Sequence, residues 1–288
     1  MTLGELLAEA AARFDAAGIE TPRVDAEVLL AHMLGLTHSE LQLDRARELS
    51  DEEAQWARAL VERRAAREPL AYVLGEWGFR RLTLKVDRRV LVPRPETEVV
   101  VERCLALLRG RASPAVLDVG TGSGAIALAI CDEHRGARVT AMDVSEEALA
   151  LARENAAAAG LQLKFEQRDL RDGLTGRFDL VVSNPPYVSA REIETLEPEV
   201  RDWEPRLATV GEEQTELIAT AAREVIEPGG WLVLEIAAGH GPTTVGLLRK
   251  LGYDDVQAGL DLAGRDRMVE GRWPTSTRPS PRSGPESP

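Results

Sequence analysis

The feature that most constrains this chain is an alternation of two periods that begins at residue 115. "AVLDVG" reads as a strand and "GAIALAICDEH" as a helix, followed by "ARVTAMDV" as strand and "SEEALALARENAAAAG" as helix. "LQLKFEQ" and "RFDLVVS" are strand-like, "ELIATAAREVI" is helical and "WLVLEIA" is again a strand. Strands separated by helices of this length are joined by parallel crossovers, so the pattern predicts an α/β fold with a doubly wound, mostly parallel sheet. The last stretch, "GYDDVQAGLDLAGRDRMVEGRW", carries two strand-like pieces with no helix between them. An antiparallel hairpin is therefore expected to finish the sheet.

The region before this alternation has a different character. Residues 1–75 read as helices: Leu3, Leu6, Leu7, Ala10 and Phe14 recur at helical spacing, Gly18 is a stop, Pro22 opens the next helix, and Ser50 with Glu53 forms a capping-box pattern. Residues 76–95 alternate apolar and polar side chains around "VDRR", which predicts a hairpin linker. "PRPETE" closes it, with Pro95 in the first turn of the helix "ETEVVVERCLALL". The sheet domain then spans 96–273, and the tail 274–288, rich in Pro, Ser and Gly, is expected to be disordered.

Charge and cysteine content narrow the function classes. A formal charge of -13 opposes direct binding of nucleic acid. Two cysteines, Cys104 and Cys131, in apolar helical stretches argue against a disulfide framework and for a reducing compartment. The N-terminus lacks the pattern of a signal peptide, and no apolar run reaches the roughly 20 residues that cross a bilayer. A cytoplasmic protein is expected, without membrane association and as a monomer.

Three glycines in "LDVGTGSGAIALAI", Gly120, Gly122 and Gly124, fall on the turn between the first strand of the sheet and its helix, with Thr121 and Ser123 between them. Such a turn permits positive φ, lets a ligand approach the backbone and offers free N–H groups at a helix N-terminus. Asp143 ends the next strand, 19 residues past Gly124, where a carboxylate can accept both hydroxyls of a ribose. Ser145 is the better cap for the following helix, which leaves Asp143 for a ligand. Asp169, after the third strand, could accept a hydrogen bond from an adenine amino group while Leu170 packs on the ring. The G-x-G-x-G spacing favours S-adenosylmethionine over a dinucleotide, for which G-x-G-x-x-G is the usual pattern.

"SNPPY" ends a later strand, where ligands of open parallel sheets sit. Pro185 biases Asn184 away from the helical region, and both Pro185 and Pro186 have φ near -65° and no N–H. The turn is dominated by acceptors, which suits an amide or aromatic NH₂. The Asn184 side-chain oxygen and a neighbouring carbonyl could take the two hydrogens, and Tyr187 could pack on the planar group and exclude water. Asn184, Pro185 and Tyr187 are thus the candidate catalytic residues, with Pro186 beside them against the substrate.

"VLVPRPETE", "LDVGTGSGAIALAI", "VSNPPY", "EPRLA" and "DLAGRDRMV", in this order behind a helical N-terminal region, resemble the bacterial peptide chain release factor N5-glutamine methyltransferases, over roughly residues 1–273. The resemblance implies a class I, Rossmann-like methyltransferase domain. It also implies methyl transfer from S-adenosylmethionine to the glutamine of a Gly-Gly-Gln loop in release factors, with S-adenosylhomocysteine as product. On the same grounds Gly120 to Gly124, Asp143, Leu170 and Asn184 would contact the cofactor, Asn184 to Tyr187 would hold the glutamine, and the helical domain and hairpin would receive the release factor. Pro93, Arg94 and Glu96 would line the mouth of the site. "TVGEEQTE" and "EIAAGHG" depart from the family's usual pattern, and His240 in the latter reads as a helix cap or surface residue. The alternative is an amino-methyltransferase for adenine or guanine in RNA or DNA, since "NPPY" after a glycine turn names a chemistry and not a substrate.

Overall fold

Thr2, Thr37 and Ser50 each accept a hydrogen bond from the backbone N–H three residues on, and Glu5, Glu40 and Glu53 reach back to the same caps. These boxes set the starts of α1 (Leu3–Ala16), α3 (His38–Leu43) and α4 (Asp51–Ala65). Only the third was named from the sequence, although Thr2 with Glu5 and Thr37 with Glu40 carry the same spacing. Gly18, at φ +72°, stops α1, and Pro22 opens α2 (Pro22–Leu34). The expected stripe of Leu3, Leu6, Leu7, Ala10 and Phe14 is buried in a core shared with α2 and α4. The short α5 (Leu70–Leu74) leads to the hairpin of β1 (Glu76–Phe79) and β2 (Leu82–Lys85).

The hairpin does not turn at "VDRR". Pairing of Phe79 with Leu82 leaves Arg80 and Arg81 as a two-residue turn, with Arg80 at φ +52°. The reason is burial. Leu84 and Val86 are both fully buried, so the inward alternation runs through Val86, and a turn there would expose it. Asp87 and Arg89 instead pair across the next bend.

The computed structural model describes residues 1–261 and 263–275, so the expected disordered tail lies outside the described residues from 276 onward. The chain divides into two units, Met1–Pro93 with Val188–Val210, and Arg94–Tyr187 with the chain from Gly211 onward. The hairpin and residues 188–210 therefore cluster with the helices, a different partition from the 1–75, 76–95 and 96–273 expected above. Residues 188–210 carry two short helices, α9 (Pro198–Trp203) and α10 (Arg206–Thr209), and charge holds them in the first unit. Arg64 reaches Asp25 and Glu199, each at 2.8 Å, and Arg67 reaches Glu197 and Glu199. Arg88 lies 4.2 Å from the ring centroid of Trp203.

In the second unit α6 (Thr97–Leu107) precedes an alternation of β3 (Ala115–Val119), α7 (Ala125–Glu133), β4 (Arg138–Asp143), α8 (Glu146–Ala159), β5 (Lys164–Gln167) and β6 (Phe178–Ser183). It continues through α11 (Gln214–Ala222), β7 (Ile226–Glu235), α12 (Gly241–Leu251), β8 (Asp254–Leu260) and β9 (Asp266–Arg272). The seven strands run in the order β5-β4-β3-β6-β7-β9-β8. Pairs from β5 to β7 are parallel, and β9 pairs antiparallel with both β7 and β8, as expected from the missing helix. α6 starts later than Pro95 implied: Glu96 is its N-cap, and Arg94 and Pro95 accept from Thr97 and Glu98 in a preceding turn. Thr97 is thereby the first helical residue, with its side chain buried.

Arg64 is itself buried between two carboxylates, so Arg64→Ala would leave Asp25 without its cation and Glu199 with Arg67 alone. We expect this change to lower the stability of the first unit by about 3 kcal/mol, read from urea unfolding. A loss under about 1 kcal/mol, the range of exposed pairs, would show that the network contributes little.

Candidate active site

The glycine turn is held from three sides. Gly120 and Thr121 donate backbone N–H groups to the Met142 carbonyl at 2.8 and 2.9 Å, which ties the turn to the end of β4. The Asn155 side chain, from α8, donates to the Ser123 carbonyl at 2.9 Å. Beneath the turn the Thr121 hydroxyl donates to Asp118 at 2.6 Å, and the Ala127 N–H donates to the same oxygen at 3.2 Å. Thr121 and Ser123 are buried, so what the turn offers outward is backbone. Gly120 and Gly122 have φ of +73° and +55°, and a Cβ at either would meet no atom within 4 Å. Backbone conformation, and not crowding, selects glycine there. Gly124 differs, since a Cβ would crowd Leu128 at 3.0 Å and Ala152 at 3.3 Å.

Asp143 is more occupied than the sequence implied. One carboxylate oxygen accepts the Gly122 N–H at 2.9 Å and the other the Ser145 N–H at 3.0 Å, while the Ser145 hydroxyl caps α8 as expected. Asp143 therefore braces the glycine turn as well as standing at the strand end. Burial pushes its carboxyl above the ordinary range, opposed by these N–H groups. Asp169 caps a short 3₁₀ turn at Leu170–Asp172 and pairs with Arg171 at 2.6 Å. The Arg171 hydrogen bonds hold its pKa down at about 2. Leu170 packs half-buried against the core of the sheet.

Asn184, Pro185, Pro186 and Tyr187 follow β6, the immediate neighbour of β3. The Ser183 hydroxyl donates to the Val119 carbonyl at 2.6 Å and locks the two strand ends together. The Asn184 side-chain NH₂ faces the Thr97 hydroxyl oxygen at 3.4 Å. Pro185 is buried, and Pro186 lies so close to Gly211 that a Cβ there would approach its ring to 2.8 Å. Tyr187 is largely covered, and burial with the nearby Glu235 carboxyl raises its phenol pKa. His240 sits exposed at the N-cap of α12, and its side chain makes no capping hydrogen bond.

The structure thus brings the glycine turn, Asp143 and Asn184 to the carboxyl ends of three adjacent strands, with Asp169 beyond the end of the next. Strands lie about 4.8 Å apart, so from Asp169 to Asn184 the row spans roughly 15 Å, long enough for an elongated ligand. The residues at hand fit S-adenosylmethionine: glycine backbone exposed at Gly120 and half-buried at Gly122 beside a helix N-terminus, a carboxylate at the end of β4, and a proline turn with no N–H beside them.

Three buried polar residues behind this row escaped sequence reasoning. Asp118 is 1% exposed, and one of its oxygens has no hydrogen-bond partner. Burial pushes its pKa up to about 7, against the pull of Thr121 and the Ala127 N–H. Glu235 is likewise 1% exposed and pushed up to about 7 by burial, with the Thr97 hydroxyl hydrogen-bonded to it and one oxygen unpartnered. Thr97 is the third. The signal for the two acids was present, a single carboxylate in each of the apolar runs "AVLDVG" and "WLVLEIA".

Residues 5–75 match the family of the PrmC N-terminal domain, and residues 98–212 match the methyltransferase small domain. The chain is 45% identical over 279 residues to the release factor glutamine methyltransferase of Deinococcus radiodurans, covering 94% of this chain and 99% of that one. It is 42% identical over 260 residues to the protein of the same name from Geobacter sulfurreducens, covering 88% and 91%. Among solved structures, a methyltransferase from Pyrococcus furiosus matches with a TM-score of 0.50 at 20% identity, over 76% of this chain and 98% of that one, a likeness of fold.

The raised pKa of Asp118 has a consequence for stability. The folded state keeps a proton that the unfolded chain releases near its ordinary value of 3.8, so the associated stability is full below that pH and is lost as pH rises through about 7. Asn cannot titrate. The melting temperature of Asp118→Asn relative to the wild type should therefore rise between about pH 4 and 7 and level off above; a difference independent of pH would show that Asp118 ionises normally in the fold.

Proposed function

This chain belongs to the release factor glutamine methyltransferase family, and we propose from that membership and the geometry above how its residues carry the reaction. It is an S-adenosylmethionine-dependent enzyme that methylates the side-chain amide nitrogen of a glutamine in peptide chain release factors. We place that glutamine in their Gly-Gly-Gln loop. The observation that carries the reading is the position of Asn184-Pro185-Pro186-Tyr187 at the end of β6, one strand from the glycine turn and locked to it by Ser183.

S-adenosylmethionine, when bound, supplies a methyl group made electrophilic by its sulfonium sulfur. The open glycine backbone from Gly120 to Gly124, with Asp143, Asp169 and Leu170, would hold it. The receiving nitrogen is a poor nucleophile because its lone pair is delocalised into the carbonyl, so orientation must supply much of the rate, and well-placed pairs gain roughly 7 to 11 kcal/mol this way. Asn184 Oδ1 takes one amide hydrogen and a backbone carbonyl of the proline turn takes the other, which leaves the lone pair facing the methyl group. Pro185 and Pro186 bring no competing N–H, and their fixed φ keeps that carbonyl in place. As the N–C bond forms the nitrogen becomes positive and its hydrogens more acidic. The two acceptors therefore bind the transition state more tightly than the ground state. One of these protons then leaves to solvent. Tyr187 covers the planar amide.

The net charge of -13 favours a protein substrate over nucleic acid. A substrate that acts in translation termination supports a cytoplasmic location; among the described residues, no helix is long and apolar enough to cross a membrane. All the proposed site residues come from one chain, so a monomer suffices for the chemistry.

With methyl-labelled S-adenosylmethionine, the purified enzyme should label a full-length release factor, and Gln→Ala in the Gly-Gly-Gln loop should abolish labelling. Label that persists in that substrate, or that enters total RNA instead, would overturn the assignment. Asn184→Ala should lower kcat by about 10²-fold or more while S-adenosylhomocysteine still raises the melting temperature.

A further inference from the structure

The proposed chemistry needs the Asn184 amide one way round, oxygen toward the reacting nitrogen and NH₂ away from it. Resting on that reading, we infer that Thr97 and Glu235 are positioning residues: they set the orientation of Asn184 through a hydrogen-bond relay from its NH₂ to the Thr97 hydroxyl and on to the Glu235 carboxylate. The three come from separate elements. Thr97 is the first residue of α6, Asn184 follows β6, and Glu235 ends β7. Ser183 pairs with Leu234 in parallel register, so Asn184 and Glu235 leave the two strands at the same level.

An asparagine amide has nearly the same outline either way, and only its hydrogen-bond partners distinguish oxygen from nitrogen. The Thr97 hydroxyl has one hydrogen. An ionised carboxylate can only accept, so beside Glu235 that hydrogen is spent on the carboxylate, and Asn184 meets a lone pair of Thr97 Oγ1 at 3.4 Å. Only the NH₂ end can satisfy it. Asn184 Oδ1 is then turned the other way, as the acceptor that an amide substrate requires. Burial enforces the relay, since Thr97 is 3% exposed and solvent cannot readily replace either partner. The unpartnered Glu235 oxygen is costly to bury, which argues that the carboxylate is there for more than packing.

The relay has a second state. A protonated Glu235 can donate to Thr97 Oγ1, the hydroxyl hydrogen can then turn to Asn184, and the amide is favoured with its NH₂ toward the substrate, two donors facing each other. Ionised Glu235 is therefore the productive form. Its surroundings set where that form appears. Its pKa stands at about 7, raised chiefly by burial and less by Glu96, against the pull of the Thr97 hydrogen bond, Arg267 of β9 and Arg94. Arg267 also faces Asp261, Glu96 faces Arg265, and the Tyr187 phenol, raised by burial, stays neutral through this range.

The test uses full-length enzyme, S-adenosylmethionine and a release factor. Thr97→Val keeps the side-chain shape without the hydroxyl and should lower kcat roughly 10- to 100-fold, with the Kd for S-adenosylhomocysteine unchanged, and Thr97→Ser should restore most of the loss. Wild-type kcat should rise about tenfold from pH 6 to pH 8 as Glu235 ionises, and in Glu235→Gln that ratio should fall toward one. A Thr97→Val enzyme with wild-type kcat, or a Thr97→Ser enzyme no better than Thr97→Val, overturns the inference. Should Thr97→Val not fold, an acid limb of the same size in Glu235→Gln overturns it. A wild-type enzyme that leaves the release factor unlabelled would instead remove the functional reading beneath it.

Discussion

The parallel pairing of β3 with β6 is the constraint on which the site depends. Val119 stands opposite Ser183, and the Ser183 hydroxyl closes on the Val119 carbonyl just where both strands end. The residues that follow, Gly120 on one strand and Asn184 on the other, thus leave the sheet side by side. A slip of one residue would turn the buried side chains of β6 to the opposite face and carry Asn184 away from the turn. Leu180, Val181 and Val182 are all fully buried, so both faces of β6 are covered and such a slip sets the wrong shapes into the packing on each. Core packing and site geometry are one requirement here.

Behind the strand ends lie two buried acids, Asp118 and Glu235, with the half-buried Asp143 beside them. Asp118 steadies the glycine turn through Thr121 and the Ala127 N–H, and Asp143 steadies it from the side through Gly122. Glu235 stands in the same relation to Asn184, one residue removed through Thr97. Each carboxyl is desolvated, and each has a raised pKa because burial disfavours its charged form. For Asp118 and Glu235 the shared pattern is a threonine near the turn held by a deeper carboxyl that solvent does not reach. Such supporting groups keep the outer residues in one orientation, which is what a reaction limited by positioning requires.

Local signals in the sequence were read correctly where one residue decides a local conformation. Ser145 caps α8, Pro22 opens α2, Gly18 ends α1, and the missing helix before β9 yields an antiparallel pair. Errors arose where a distant contact chose between two local options. The alternation of residues 76–95 fits a turn at Arg80 or at Asp87, and the full burial of Val86 decides for the former. Pro95 could open α6, yet the helix begins at Thr97, whose side chain is buried. Residues 188–210 follow "NPPY" in sequence but cluster with the helical unit, where Glu199 meets Arg64 and Arg67 more than 130 positions away in the chain.

From its sequence alone this chain declared a doubly wound sheet, a glycine turn with a carboxylate at the next strand end, an Asn-Pro-Pro-Tyr turn at another, and the family that combines them. These are matters of periodicity and of residues with unusual backbone freedom, and both are written locally. Tertiary structure alone decided that Asp143, expected to serve a ligand, also braces the glycine turn, that Thr97 lies beside Asn184, and that Glu235 stands behind both. Those relations join residues from different strands and helices. Their physical basis is desolvation, which makes a buried hydroxyl or carboxylate find its hydrogen-bond partner wherever the fold brings one.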